Sequence, residues 1–192
     1  DYEKAISDYD KVIELVPELV LSFVARGNVQ RQLGNYLEAL KDYQTALDLK
    51  PDCEKSWYVD VKFKIATVHH AALDYPKALA KYIEISEKLD RENLACDINI
   101  GLIKYEQEKK TTAINYWKPA LDKSPDNLET QLAIAIAEYT CNGQNQEQIS
   151  IAKVQEIFKK DPNWSHLEYL QQNLWGSQLL ADAEKLFKSI VI

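Results

Sequence analysis

Apolar side chains recur along this chain at intervals of three and four, as Ile6, Tyr9, Val12, Ile13 and Val16 in one stretch and Leu132, Ala135, Ile136 and Tyr139 in another. That spacing lines one face of an α-helix, and neither stretch alternates as a half-buried strand would. Turn signals separate the helical segments at Gly34-Asn35, Leu73-Asp74 and Asn142-Gly143. Asp74 suits an N-cap, and Pro76 is tolerated in the first turn behind it. The recurring element is helix, turn, helix.

The element also repeats in sequence. "ALKDYQTALDLKPD" from Ala39 echoes "AISDYDKVIELVPE" from Ala5 at an offset of 34 residues, placing Leu40 on Ile6, Tyr43 on Tyr9, Leu49 on Leu15 and Pro51 on Pro17. Ala78 and Tyr82 follow, then Ala113 and Trp117, with Ala120 and Pro125 behind them. A second marker precedes each, a small residue after a larger one: Arg26-Gly27, Ile65-Ala66, Ile100-Gly101 and Ile134-Ala135.

These residues resemble the tetratricopeptide repeat, a helical hairpin with a period of 34 residues. Phe23, Arg26 and Gly27 stand for its opening, Ala39, Tyr43 and Ala46 for its second helix, and Pro51 for its close. Ile100, Gly101, Ala113, Trp117, Ala120 and Pro125 make a further match, with Asp97 where an aromatic opens the motif. The resemblance implies an all-α fold, an α-α superhelix or solenoid of stacked antiparallel helix pairs, in which small residues let paired helices approach closely.

Carried along the chain, it gives the second helix of a truncated first repeat at 1–19, repeats at 20–53, 54–93, 94–127 and 128–162, and a C-terminal capping segment at 163–192. Extra residues between Pro51 and Tyr75 are expected to lengthen the first helix of the 54–93 repeat. In the degenerate 128–162 repeat, "CNGQNQEQ" reads as an enlarged loop, with Ser150, Val154 and Ile157 at the marker positions of the second helix. Pro119, inside a helix, predicts a bend near Trp117. The last helix carries Leu179, Ala183, Leu186, Phe187 and Ile190 on one face, and Gln178, Asp182, Lys185 and Lys188 are expected to face water, as a capping element requires.

Composition narrows the function. A net charge of −7 argues against binding a phosphate backbone, and no stretch approaches the length of an apolar membrane span. Cys53, Cys96 and Cys141 are odd in number and widely spaced, which suits free thiols in a reducing, cytoplasmic compartment better than disulfides or zinc. The chain starts at Asp1 and has no methionine, so it reads as a fragment. Phosphate-cradling glycine loops, HExxH and GxSxG are missing from the sequence, and neither an enzyme nor a cofactor is implied. His69 and His70 point about 100° apart on a helix, too divergent to chelate one metal ion together. The Asn163 sequon reads as coincidence.

The resemblance places function on a concave groove lined by the first helix of each repeat. Mapped here, the groove comprises Leu21, Val24, Asn28 and Arg31, then Phe63, Thr67 and His70. It continues with Ile98, Asn99, Leu102 and Tyr105, then Leu132, Ile136 and Tyr139. Such a surface is expected to hold an extended or helical segment of a protein partner, with Asn28, Arg31 and Asn99 as polar anchors. Val24 and Ala95 stand where chaperone-binding relatives of the family have lysines, which disfavours a terminal-carboxylate ligand. The alternative is a structural element that self-assembles into homo-oligomers through exposed helix faces.

Overall fold

The structure, a computed structural model, describes residues 1–50, 55–89, 93–142 and 144–190. These residues form α-helices joined by short turns. They fall into two compact units, 1–92 and 93–192.

In the first unit, α1 (Tyr2–Leu15), α2 (Val20–Gln32), α3 (Tyr36–Leu49), α4 (Lys55–Ala71) and α5 (Tyr75–Glu84) pack successively on one another, and a short π-helical segment, Ile85–Leu89, follows α5. At seventeen residues α4 is longer than α2, which has thirteen. Phe23, Val24, Ala39, Tyr43, Ala46, Leu47, Val61, Ile65 and Val68 form one buried cluster. The α2–α3 crossing depends on a missing side chain: a Cβ on Gly27 would come within 2.8 Å of the Tyr43 ring. Arg26 binds this unit together electrostatically. Its guanidinium donates to Asp42 of α3 at 2.9 and 2.6 Å and to Asp10 of α1 at 2.6 Å, a forked arrangement that lysine could not reproduce.

The second unit contains α6 (Leu94–Glu106), α7 (Lys110–Lys123), α8 (Leu128–Asn142) and α9 (Gln144–Lys160), again packed in succession. A 3₁₀ turn (Pro162–Ser165), α10 (Leu167–Gln172) and α11 (Ser177–Ser189) complete it. Gly101 repeats the role of Gly27, because a Cβ there would collide with the Trp117 indole, whose Nε1 donates to the Ile98 carbonyl at 3.0 Å. Ala113, Ala120, Ala135, Ser150, Val154 and Ile157 are all buried in this unit.

The turn after α2, α4 and α6 follows one design. Gly34, Leu73 and Glu108 adopt positive φ of 80°, 60° and 60°, and the next amide in each case returns to a carbonyl five residues back, as in Asn35 to Gln30 at 2.9 Å. This is a left-handed helix stop, which glycine adopts most easily. Asp74 caps α5 by accepting from the Lys77 amide at 3.4 Å, with Pro76 in the first turn.

One local expectation needs correction. The polar stretch expected to be an enlarged loop is helical on both sides of residue 143, because α8 runs to Asn142 and α9 begins at Gln144. Gln and Glu are good helix formers, and a polar turn of helix at the surface loses nothing to water. At Pro119, which is exposed, α7 continues without interruption from Lys110 to Lys123.

Candidate functional site

The first helices of successive hairpins are α2 and α4 in one unit and α6 and α8 in the other. Their side chains are disposed very differently in the two units.

In the first unit, Leu21 is 63% exposed, and Asn28, Arg31, Phe63 and Thr67 are half-buried. Asn28 faces partly inward, its Oδ1 accepting from the Tyr43 hydroxyl at 2.7 Å. Burial pushes the Tyr43 hydroxyl up to about 12 against the opposing pull of the Arg31 guanidinium. Phe63 packs on Tyr82 with ring centroids 5.6 Å apart. Val24 and His70 are buried, the latter edge-on to Tyr75 and Tyr82. These two side chains belong to the packing between helices and offer little surface to a ligand.

In the second unit the corresponding face is covered by the chain itself. Helix α11 packs against both α6 and α8, and Leu179, Asp182, Ala183 and Leu186 are the residues it buries. Beneath and beside it Ile98, Leu102, Tyr105, Leu132 and Ile136 are buried, so these five expected groove residues contribute core. Tyr139 is half-buried against the same cluster. Asn99 is half-buried and donates to its own helix at the Ala95 carbonyl, 2.8 Å away. With Ile98 it lines a cleft of about 200 Å³ that also includes Ser124, Asn127 and Glu129.

The seating of α11 rests on two polar contacts. The first is at its N-terminus, where Glu106 at the end of α6 accepts from the Leu179 amide at 3.0 Å, the Gln178 amide at 3.1 Å and the Ser177 hydroxyl at 3.4 Å. A carboxylate there satisfies amides that the helix cannot pair internally and complements the helix dipole. Gly176 makes this approach possible, since a Cβ would strike the Glu106 side chain, 2.5 Å from Cγ.

The second contact is the buried Asp182. Its Oδ2 accepts from Tyr105 Oη at 2.9 Å and Lys110 Nζ at 2.6 Å, and its Oδ1 from Lys185 Nζ at 2.9 Å. Burial alone would raise the Asp182 carboxyl, but the bonds from Lys110, Lys185 and Tyr105 together hold it below the usual carboxylate range. Tyr105 also contacts Thr140 of α8 at 3.2 Å and stacks on Trp117, so the acid sits at the junction of α6, α8 and α11. The expectation that Asp182 faces water is therefore corrected. Its place three residues after Leu179 and four before Leu186 puts it on the apolar face, a signal present in the sequence.

Just before α11, the Trp175 indole donates to Glu129 Oε1 at 3.1 Å. Burial pushes the Glu129 carboxyl up to about 6, with the Trp175 bond opposing. Phe187 meets Phe158 of α9 edge-on at 5.0 Å. Sequence reasoning singled out neither Glu106 nor Glu129 and read Arg26 only as a repeat marker, because the partners of all three lie outside their own helices. Among the described residues no cluster of His, Cys, Asp and Glu is arranged to hold a metal ion, and no helix is long and apolar enough to cross a membrane.

The tetratricopeptide repeat family model matches residues 21–53. No curated protein matches the chain in sequence. Among solved structures it is similar to the apo form of RapI, at 20% identity and a TM-score of 0.73 over 98% of this chain and 78% of that one. It is also similar to MamA, at 15% identity and a TM-score of 0.65 over 84% and 91% of the two chains. A third likeness is to YrrB, described as a tetratricopeptide repeat protein with an unusual peptide-binding site, at 19% identity and a TM-score of 0.56 over 90% and 83%. At these identities the likeness is one of fold, an all-α helical repeat solenoid.

Proposed function

We propose that the chain, which the tetratricopeptide repeat family model matches at residues 21–53 and which shares the helical solenoid fold, is a tetratricopeptide-type protein-protein interaction module. It binds an extended or helical segment of a partner protein on the face formed by the first helices α2 and α4 of the first unit. Hairpins bounded at 20–53, 54–93, 94–127 and 128–162, after a partial one at 1–19 and before the closing segment at 163–192, are its working units. The same reading makes it a non-enzymatic scaffold of a reducing compartment, without cofactor or nucleic-acid ligand.

The supporting observation is the exposure pattern of the first unit. Leu21, Asn28, Arg31, Phe63 and Thr67 keep solvent-accessible surface, while Gly27, Ile65 and Ala66 on the same helices are buried. Apolar surface beside a guanidinium and an amide suits a peptide, with apolar contacts for affinity and polar anchors for register. The test is affinity capture by the intact chain compared with a Leu21→Glu, Arg31→Ala double variant. Retained helicity with loss of the proteins captured by the wild type supports the proposal. Capture that persists on a folded variant places the binding site elsewhere.

One observation favours a second reading, self-assembly. Leu15, Val16 and Leu19 are 80%, 49% and 41% exposed, and α1 buries none of its residues. Apolar surface of this kind is available to a second copy. Light scattering across a concentration series separates the readings, since a monomer at high concentration excludes assembly.

A further inference from the structure

We infer that the α6–α8 face of the second unit is a docking site for an amphipathic helix bearing a buried acid, and that α11 is its exchangeable occupant in cis. This rests on the reading of the chain as a protein-binding module and names the partner class for one of its faces.

Three observations support the inference. First, α11 lies on α6 and α8, two helices contributed by different hairpins, and it is held there by buried side chains together with the Gln178 and Leu179 amides that bond to Glu106. Leu179, Ala183 and Leu186 supply an i, i+4, i+7 apolar stripe, the mode by which a helix occupies a groove. Second, the receiving face supplies chemistry for one acid at one place. Lys110 lies 5.0 Å from the Tyr105 ring, and the two side chains converge on Asp182 Oδ2. Buried and partly buried donors aimed at a single carboxylate give register, and they reject a helix with a neutral or basic residue there. Third, the α6–α7 hairpin carries a closure that does not involve α11. The Gly101–Trp117 contact and the Trp117 bond to Ile98 lie within the α6–α7 pair.

A tethered occupant competes at an effective concentration on the order of millimolar, so only a partner helix of matching chemistry displaces it. The cis helix thereby sets the threshold for the trans one.

The test uses the full chain and a fluorescein-labelled peptide spanning Ser177–Ile190. In the chain, Asp182→Lys sets the cis helix against Lys110 while leaving the receiving face intact. The labelled peptide is expected to bind this variant at least tenfold more tightly than it binds the wild-type chain. A peptide with the same lysine at that position is expected not to bind. Leu186→Ala in the chain, which removes a buried contact of the cis helix without adding charge or altering the receiving face, is expected to tighten peptide binding in the same direction.

Equal anisotropy titrations for wild-type and variant chains of native helicity would overturn the inference. So would loss of the folded state in both variants, because an exchangeable helix must leave the remainder standing. A chain that captures partners through Leu21 and Arg31 but fails this test loses this inference alone.

Discussion

Glu129 shows what one residue's surroundings do to its charge. With its carboxyl raised from 4.5 to about 6, the folded state favours the protonated form. The stability this contributes is fully present below the ordinary carboxyl range and is lost as pH rises through about 6. Above that pH the buried carboxylate costs up to roughly 2 kcal/mol, at about 1.4 kcal/mol per pH unit. Glu129→Gln keeps an oxygen for the Trp175 donor and removes the charge. It is expected to raise stability by up to about 2 kcal/mol at pH 7.5 and to leave it unchanged near pH 4, as read by urea unfolding at the two pH values. Nothing in the local sequence signalled this, because Trp175 reaches Glu129 from 46 residues away.

Helix α11 carries the opposite pH sign. The carboxyl of Asp182 is held below its usual range, so the stabilisation is present at neutral pH and lost as pH falls through the folded value. Below about pH 4 the seat of α11 is expected to loosen first, with amides of residues 179–186 exchanging faster than those of α7 in hydrogen exchange. In an Asp182→Asn chain this acid-dependent step should vanish. At this scale much was legible: the 3.6-residue period marked the helices, and the small residues Gly27 and Gly101 marked where paired helices cross. The error lay in what covers the first helices. Ile98, Ile100, Leu102 and Ile103, and the unbroken buried run from Leu132 to Ala137, are apolar around much of their helices. Such a helix is enclosed on several sides, whereas a groove wall is wet on one. The contrast with α2, whose second half carries Arg26, Asn28, Gln30 and Arg31 among its apolar positions, is present in the sequence. The residues on either side of position 143 differ from expectation for another reason: polarity signals a loop, but Gln and Glu also propagate helix.

Among the described residues, one large buried cluster lies in the first unit and another in the second. A substitution deep in one is therefore expected to act on its own unit first. Gly101→Leu forces a side chain into the Trp117 indole, which its bond to Ile98 holds in place, and should destabilise by about 3 kcal/mol through overpacking. Hydrogen exchange should then accelerate across α6–α9 more than across α2 and α3, and equal acceleration in both would show a single cooperative core. The solenoid architecture is readable from the repeat itself, whereas the bonds that seat α11 on Tyr105 and Glu106 join residues more than 70 positions apart, for which periodicity carries no information.

Gly176 ties together two distant sites in the chain. Its backbone lies at φ −84° and ψ 176°, ordinary extended geometry that any amino acid adopts, so the demand for glycine comes wholly from the acidic side chain of Glu106 pressed against it. A methyl group at 176 evicts that acid, and a shorter side chain at 106 releases the demand. Aligned relatives should accordingly show positions 106 and 176 covarying, glycine persisting only where the glutamate does.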